Sequence, residues 1–157
     1  MAKVIMTCGR ICSGKTTYAQ KLSRELKAVV LSVDEITLAL FGQDAGDMHD
    51  TYVERAEKYL FEKSLEIVGV GIDVILDWGF WQKCERDHAR EFYRENGVEH
   101  EFHCIRITDE EWRRRLEKRN AAVLTGETDA YYVDDGLAAK FSQMFEVPSD
   151  DEVDIII

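Results

Sequence analysis

Gly9-Arg10-Ile11-Cys12-Ser13-Gly14-Lys15-Thr16 is the stretch on which the reading of this chain turns. It satisfies the pattern G-x-x-x-x-G-K-[ST], and its surroundings are those the pattern requires. Lys3-Val4-Ile5-Met6-Thr7-Cys8, just before it, is a short apolar run suited to a strand buried on both faces. Lys15 to Lys27, just after it, carries Tyr18, Leu22 and Leu26 at helical steps along one face. A loop between such elements offers a nest of backbone N–H groups at a helix N-terminus, where phosphate is held well. Gly9, Cys12, Ser13 and Gly14 then supply main-chain contacts and Lys15 spans the β- and γ-phosphates. Thr16 presents its hydroxyl to Mg²⁺, and Thr17 reaches the α-phosphate. The expected ligands are ATP and Mg²⁺.

Outward from this loop, strands and helices alternate. Ala28 to Val33 is a second buried-strand candidate, and a helix from Glu35 to Phe41 follows it. Thr51 to Val68 has helical spacing in Tyr52, Val53, Ala56, Tyr59, Leu60 and Ile67, with Gly69 and Gly71 marking its end. Ile72 to Asp77 predicts a third strand. Trp81, Cys84, His88 and Phe92 stripe the helix after it, which Asn96-Gly97 stops, and Glu101 to Ile107 predicts a fourth strand. Thr108-Asp109-Glu110-Glu111 fits the capping box S/T-x-x-E and predicts a helix start. A last helix is expected over Asp134 to Glu146 with Leu137, Phe141, Met144 and Phe145 inward, then a fifth strand from Val153 to Ile157. Such alternation implies an α/β domain with right-handed crossovers, a mostly parallel sheet, and ligands at the carboxyl ends of the strands. The loops after Cys8, Val33, Asp77 and Ile107 open on that edge.

Composition narrows the choice of function. The 157 residues suit one domain, spanning 1–157. A net charge of -11 argues against holding nucleic acid by phosphate neutralisation and favours a small-molecule or protein partner. No apolar run is long enough to span a membrane and no leader pattern opens the chain, so a cytoplasmic location is expected. Cys8, Cys12, Cys84 and Cys104 fit neither a zinc site nor a disulfide scaffold.

Carboxylates and arginines surround the phosphate loop in the expected topology. Asp77 ends the third strand as a Walker-B carboxylate does, and is the second Mg²⁺ candidate beside Thr16; a helix-capping Asp is the alternative. Asp34 follows the second strand and is the candidate base for an acceptor hydroxyl; N-capping the helix Glu35 to Phe41 is its alternative. Arg115 and Arg119 share one face of the helix Trp112 to Asn120 and are candidates to clamp phosphate oxygens, against the alternative of a solvated basic helix. Arg86, near the start of the helix after Asp77 and one turn from Arg90, either looks into the cleft and binds substrate or serves a surface ion pair. Trp78, Phe80 and Trp81 suit core packing, and His100 and His103 suit structural roles.

These residues together resemble the P-loop kinases related to polynucleotide 5′-hydroxyl kinase, zeta toxin and chloramphenicol phosphotransferase. The likeness runs through Gly9 to Thr17, Val33-Asp34, Ile75-Leu76-Asp77, Arg86 and Arg115 to Asn120. It implies a five-stranded parallel sheet in the order 2-3-1-4-5, Asp34 as general base, and Arg115 and Arg119 on a mobile lid of about residues 112–130. Two departures stand out. Polynucleotide kinases place an Arg where this chain has Thr37, and Gly42 to Val70 matches no known acceptor site.

The expected function is transfer of the ATP γ-phosphate to a hydroxyl of a small-molecule acceptor, with Lys15, Asp34, Arg115 and Arg119 as the catalytic set. The alternatives are a nucleoside or nucleotide kinase, or an ATPase or ATP-binding module without transfer. No N-K-x-D guanine-reading motif occurs, which argues against a GTPase.

Overall fold

A computed structural model describes residues 1–157. Its centre is β1 (Val4–Cys8), all five residues of which are buried. Alternation along this strand divides the core: Val4, Met6 and Cys8 enter the larger apolar cluster and Ile5 the smaller. Thr7, the polar member, is satisfied by donating its hydroxyl hydrogen to the Leu76 carbonyl at 3.2 Å.

β2 (Val29–Leu31), β3 (Val74–Leu76), β4 (His100–Cys104) and β5 (Ile155–Ile156) complete a sheet in the order β2-β3-β1-β4-β5. Every pairing in it is parallel. Leu31 and Met6 both lie opposite Leu76, and Cys8 lies opposite Cys104, so the strand ends are level and the following loops share one edge. This is the order that the resemblance implies.

The crossovers are α1 (Lys15–Leu26), α2 (Val33–Phe41), α3 (His49–Gly69), α4 (Lys83–Glu95), α5 (Asp109–Leu124) and α6 (Asp135–Met144). Phe61 of α3 and Ala89 and Tyr93 of α4 cover one face of the sheet, and Ala19 of α1 with Ala28 covers the other. Full burial of side chains such as Phe61 or Ile75 contributes about 1.5–3 kcal/mol each. A third cluster, Trp112, Leu116, Val133 and Ala138, takes in Ile11 and Cys12 and thereby packs α5 against the phosphate loop. No helix is long and apolar enough to cross a membrane.

Three local expectations are corrected. Trp81 precedes α4, and Cys84 and His88 face solvent; the buried face is Arg86, Ala89 and Tyr93. The reason is polar pairing, since the Tyr93 hydroxyl lies 2.8 Å from Ser64 Oγ inside the core and Arg86 turns inward to Glu152. At the C-terminus, Asp150–Glu152 forms a 3-10 turn, which leaves only Ile155–Ile156 for pairing with β4. Thr108 does cap α5 by accepting from Glu111 N–H at 3.2 Å, but the Glu111 carboxylate pairs with Arg114 and Arg115.

Candidate active site

The loop from Gly9 to Gly14 joins β1 to α1 and needs glycine at both ends for spatial reasons. A Cβ on Gly9 would lie 2.8 Å from Ser13 Oγ and 2.9 Å from the Ile105 carbonyl. Gly14 has φ 99 and caps α1 with left-handed backbone, and a Cβ there would lie 2.9 Å from Arg115 Nη1. Cys12 is also left-handed at φ 57. Left-handed residues interspersed in a loop converge successive N–H groups, which is the geometry of an anion nest. The N–H groups of Gly14, Lys15, Thr16 and Thr17 take no partner within the chain.

Lys15 donates from Nζ to the Gly9 and Arg10 carbonyls at 3.1 and 2.6 Å, curling over the loop. Burial lowers its pKa, opposed by the charges of Asp77 and Asp34, which places both carboxylates within electrostatic reach of the ammonium. Asp77 is buried at the end of β3, and burial raises its carboxyl above the ordinary range while the neighbouring Thr16 and Lys15 pull it down. It caps no helix, because Gln82 holds the N-cap of α4.

Asp34 belongs to the first turn of α2, whose N-cap is Ser32: Ser32 Oγ accepts from Glu35 N–H at 3.3 Å. The capping alternative for Asp34 is thereby removed. Its carboxyl is open to solvent but crowded by the cleft walls, so desolvation raises its pKa against the pull of Arg119, Lys15 and His49.

Two arginines of α5 rest on the loop. Arg115 donates from Nη1 to the Ser13 carbonyl at 2.9 Å and from Nε to Glu111 at 2.6 Å. Arg119 donates from Nη1 to Cys12 Sγ and from Nη2 to the Tyr131 carbonyl, each at 3.2 Å. Beside them the Trp112 indole N–H donates to the Ile11 carbonyl at 2.8 Å, and the Arg10 guanidinium lies 3.9 Å above the Trp112 ring. Arg113, Arg114 and Lys118 face solvent.

The structure thus gathers Gly9, Cys12, Ser13, Gly14, Lys15, Thr16, Thr17, Asp34, Asp77, Arg115 and Arg119 at one edge. It does not bring Arg86 there. Arg86 is 1% exposed and is used up by the Phe80 and Trp81 carbonyls, at 2.9 and 3.1 Å, and by Glu152 at 3.2 Å. A buried guanidinium needs such partners, and its role is to hold the loop whose Gly79 carbonyl accepts from Gly9 N–H at 3.3 Å. Sequence reading missed Tyr131 and His49, which stand beside Asp34; both lie where no periodic pattern marks them.

The residues present fit a nucleotide. Ser13 Oγ and Arg119 Nε are buried polar atoms with no partner in the chain, next to the unpaired N–H groups and the Lys15 ammonium. Thr16 with Asp77 is an oxygen donor set of the kind Mg²⁺ takes in nucleotide sites, where water and phosphate complete its shell.

The AAA domain family (AAA_33) matches residues 4–148. No curated protein matches the sequence. Among solved structures, the Mycobacterium tuberculosis APS kinase CysC, in complex with AMPPNP and APS, is 20% identical with a TM-score of 0.70, over 99% of this chain and 87% of that one. A gluconokinase from Sinorhizobium meliloti 1021 is 13% identical with a TM-score of 0.67, over 99% and 81%. A chain of the Pnkp1/Rnl/Hen1 RNA repair complex is 22% identical with a TM-score of 0.74, over 91% of this chain and 43% of that one. At these identities the likeness establishes the fold. With the phosphate loop in place and the family match running through β1 to α6, the chain belongs to the AAA domain family AAA_33.

Proposed function

We propose that this protein is an ATP- and Mg²⁺-dependent phosphotransferase that moves the γ-phosphoryl group of ATP to a hydroxyl of a small-molecule acceptor. The observation that carries this reading is Asp34, a carboxylate beside Lys15 and Arg119 that does no capping. A binding module needs the loop but no second carboxylate at this place, and an ATPase would turn that carboxylate on water, so dependence on an acceptor separates hydrolysis from transfer. Desolvation moves its pKa toward the working pH, which suits a group that accepts a proton from an alcohol.

The parts divide as follows. The N–H groups from Gly14 to Thr17 and the Lys15 ammonium hold phosphate oxygens, Lys15 exchanging the Gly9 and Arg10 carbonyls for them. Thr16 and Asp77 would hold Mg²⁺, which would supply charge neutralisation to the phosphates. Arg115 and Arg119 add positive charge at the loop from α5. Asp34 orients the acceptor hydroxyl and takes its proton.

A small acceptor is supported by the net charge of -11 and by Thr37, which is 1% exposed and bonded to Tyr131. The likeness to a component of an RNA repair complex makes RNA ends an arm of the test, alongside nucleosides, sugars and sulfated nucleotides. The test is Asp34→Asn, assayed for Mg²⁺-ATP binding and for acceptor-dependent transfer. Intact binding with lost transfer supports the reading, and unchanged transfer overturns it.

A further inference from the structure

The segment between α5 and α6 is joined to both sides of the cleft, and a single residue, Tyr131, makes the two joints that matter. Its carbonyl accepts from Arg119 Nη2 at 3.2 Å. Its hydroxyl lies 2.7 Å from Thr37 Oγ1 on α2. Thr37 Oγ1 in turn lies 3.2 Å from the Val33 carbonyl and 3.3 Å from that of Asp34. A threonine hydroxyl has one hydrogen, which goes to these carbonyls, so Tyr131 is the donor toward Thr37.

The ring has little freedom to move. His49 meets it edge-on at 5.7 Å and 86°, from the third wall of the cleft. On either side of Tyr131 the main chain is gripped by amide side chains. Gln43 donates to the Ala130 carbonyl at 2.7 Å and accepts from Tyr132 N–H at 3.2 Å. Asn120 donates to the Val133 carbonyl at 2.5 Å and accepts from Val133 N–H at 2.9 Å. One amide comes from the turn just past α2 and the other from α5, so the strap ties the base-bearing helix to the arginine-bearing helix.

We propose that Tyr131 is a positioning residue for phosphoryl transfer, setting Asp34 relative to Arg119 through the Thr37 hydroxyl and its own carbonyl. It touches no reacting atom. Arg119 answers to the phosphates and Asp34 to the acceptor, and Tyr131 is hydrogen-bonded to the helix of each, so a shift of one helix is passed to the other. This inference rests on the phosphotransferase reading.

The test is a cycle of Tyr131→Phe, Thr37→Val and the double variant in the full chain. It is read by steady-state transfer, by thermal melting and by amide hydrogen exchange. Tyr131→Phe keeps the ring, its His49 contact and the Arg119 bond, and deletes only the hydroxyl. Each single variant should lower kcat on the order of tenfold while the KM for ATP stays within about twofold, because a lost alignment is felt in the transition state. The double variant should be no slower than the slower single one, since both delete the same bond. In each, the amides of residues 33–38 and 130–133 should exchange faster together. A purely structural role would lower the melting temperature without this split in kinetics or the non-additivity.

The proposal is overturned by wild-type kcat in Tyr131→Phe, by losses that multiply in the double variant, or by faster exchange confined to the strap. Should wild-type protein phosphorylate no acceptor, the phosphotransferase reading fails separately, and the exchange data alone decide whether Tyr131 joins the two helices.

Discussion

Arg86→Met is expected to destabilise the fold by about 3 kcal/mol while leaving the nucleotide site usable. Arg86 is 1% exposed, and methionine keeps much of its aliphatic volume, so the loss falls on polar partners. Breaking a buried ion pair by removing one member costs about 3–5 kcal/mol. Here Glu152 softens the loss, since its other oxygen already accepts from Ser149 N–H at 2.8 Å and Ser149 Oγ at 2.9 Å and its side chain is 15% exposed. The Phe80 and Trp81 carbonyls, 2.9 and 3.1 Å from Nη1, lose a charged donor, and unmet buried acceptors add about 1 kcal/mol or more. At roughly 2–4 °C per kcal/mol for a chain of this size, the melting temperature should fall by about 6–12 °C. Urea unfolding followed by tryptophan fluorescence measures the loss, and ATP titration under folding conditions should show at most a few-fold weakening. Unchanged stability with strongly impaired acceptor binding would refute the reasoning and return Arg86 to the cleft.

Other substitutions separate the roles of neighbouring groups. Lys15→Ala should abolish Mg²⁺-ATP binding or turnover with an unaltered circular dichroism spectrum, and a fully active variant would sink the cradle assignment. Arg115→Ala or Arg119→Ala should lower turnover more than ATP affinity; equal losses would mean ground-state binding. The acidic limb of kcat/KM should lie above the ordinary aspartate value near pH 4, because partial desolvation in the cleft raises Asp34; a limb at or below that value contradicts the assignment. Glu57 is pushed up to about 7 by burial, with Glu85 and Glu54 adding to it. Its folded form therefore binds the proton more tightly than the unfolded chain, and stability should decline as pH rises from about 4.5 to 7. Glu57→Gln should flatten that decline and raise stability at pH 8 by roughly 1–3 kcal/mol in urea titrations at the two pH values.

How far the sequence carries depends on the distance over which each feature is decided. The phosphate loop was legible because eight consecutive residues and their flanks decide it, and the Thr108 cap because its hydroxyl serves an N–H three residues on. The buried place of Arg86 is not legible in the sequence because its partner Glu152 is 66 residues away, and no local pattern separates a guanidinium turned inward from one on the surface. The α4 stripe failed for a related reason: helical spacing admits adjacent faces, and the Tyr93–Ser64 bond selects between them. The α2 cap is Ser32 and not Asp34, although both are good cap residues, because a cap position depends on where the strand stops. Tyr131 lies in a stretch of irregular backbone, and only tertiary contact gives it Thr37 and Arg119 as partners.

The most direct test follows the γ-phosphate of ATP into alcohols of a defined panel, with wild-type protein and Asp34→Asn side by side. Asparagine keeps the size of the side chain and leaves the Ser32 cap untouched while deleting the proton acceptor. The account predicts labelled product from one acceptor class, a fall of about 10²- to 10⁴-fold in transfer by Asp34→Asn, equivalent to about 3–5 kcal/mol of barrier, and ATP affinity nearly unchanged. Phosphate released to water at the same rate with and without every acceptor, and equally in both proteins, would contradict it.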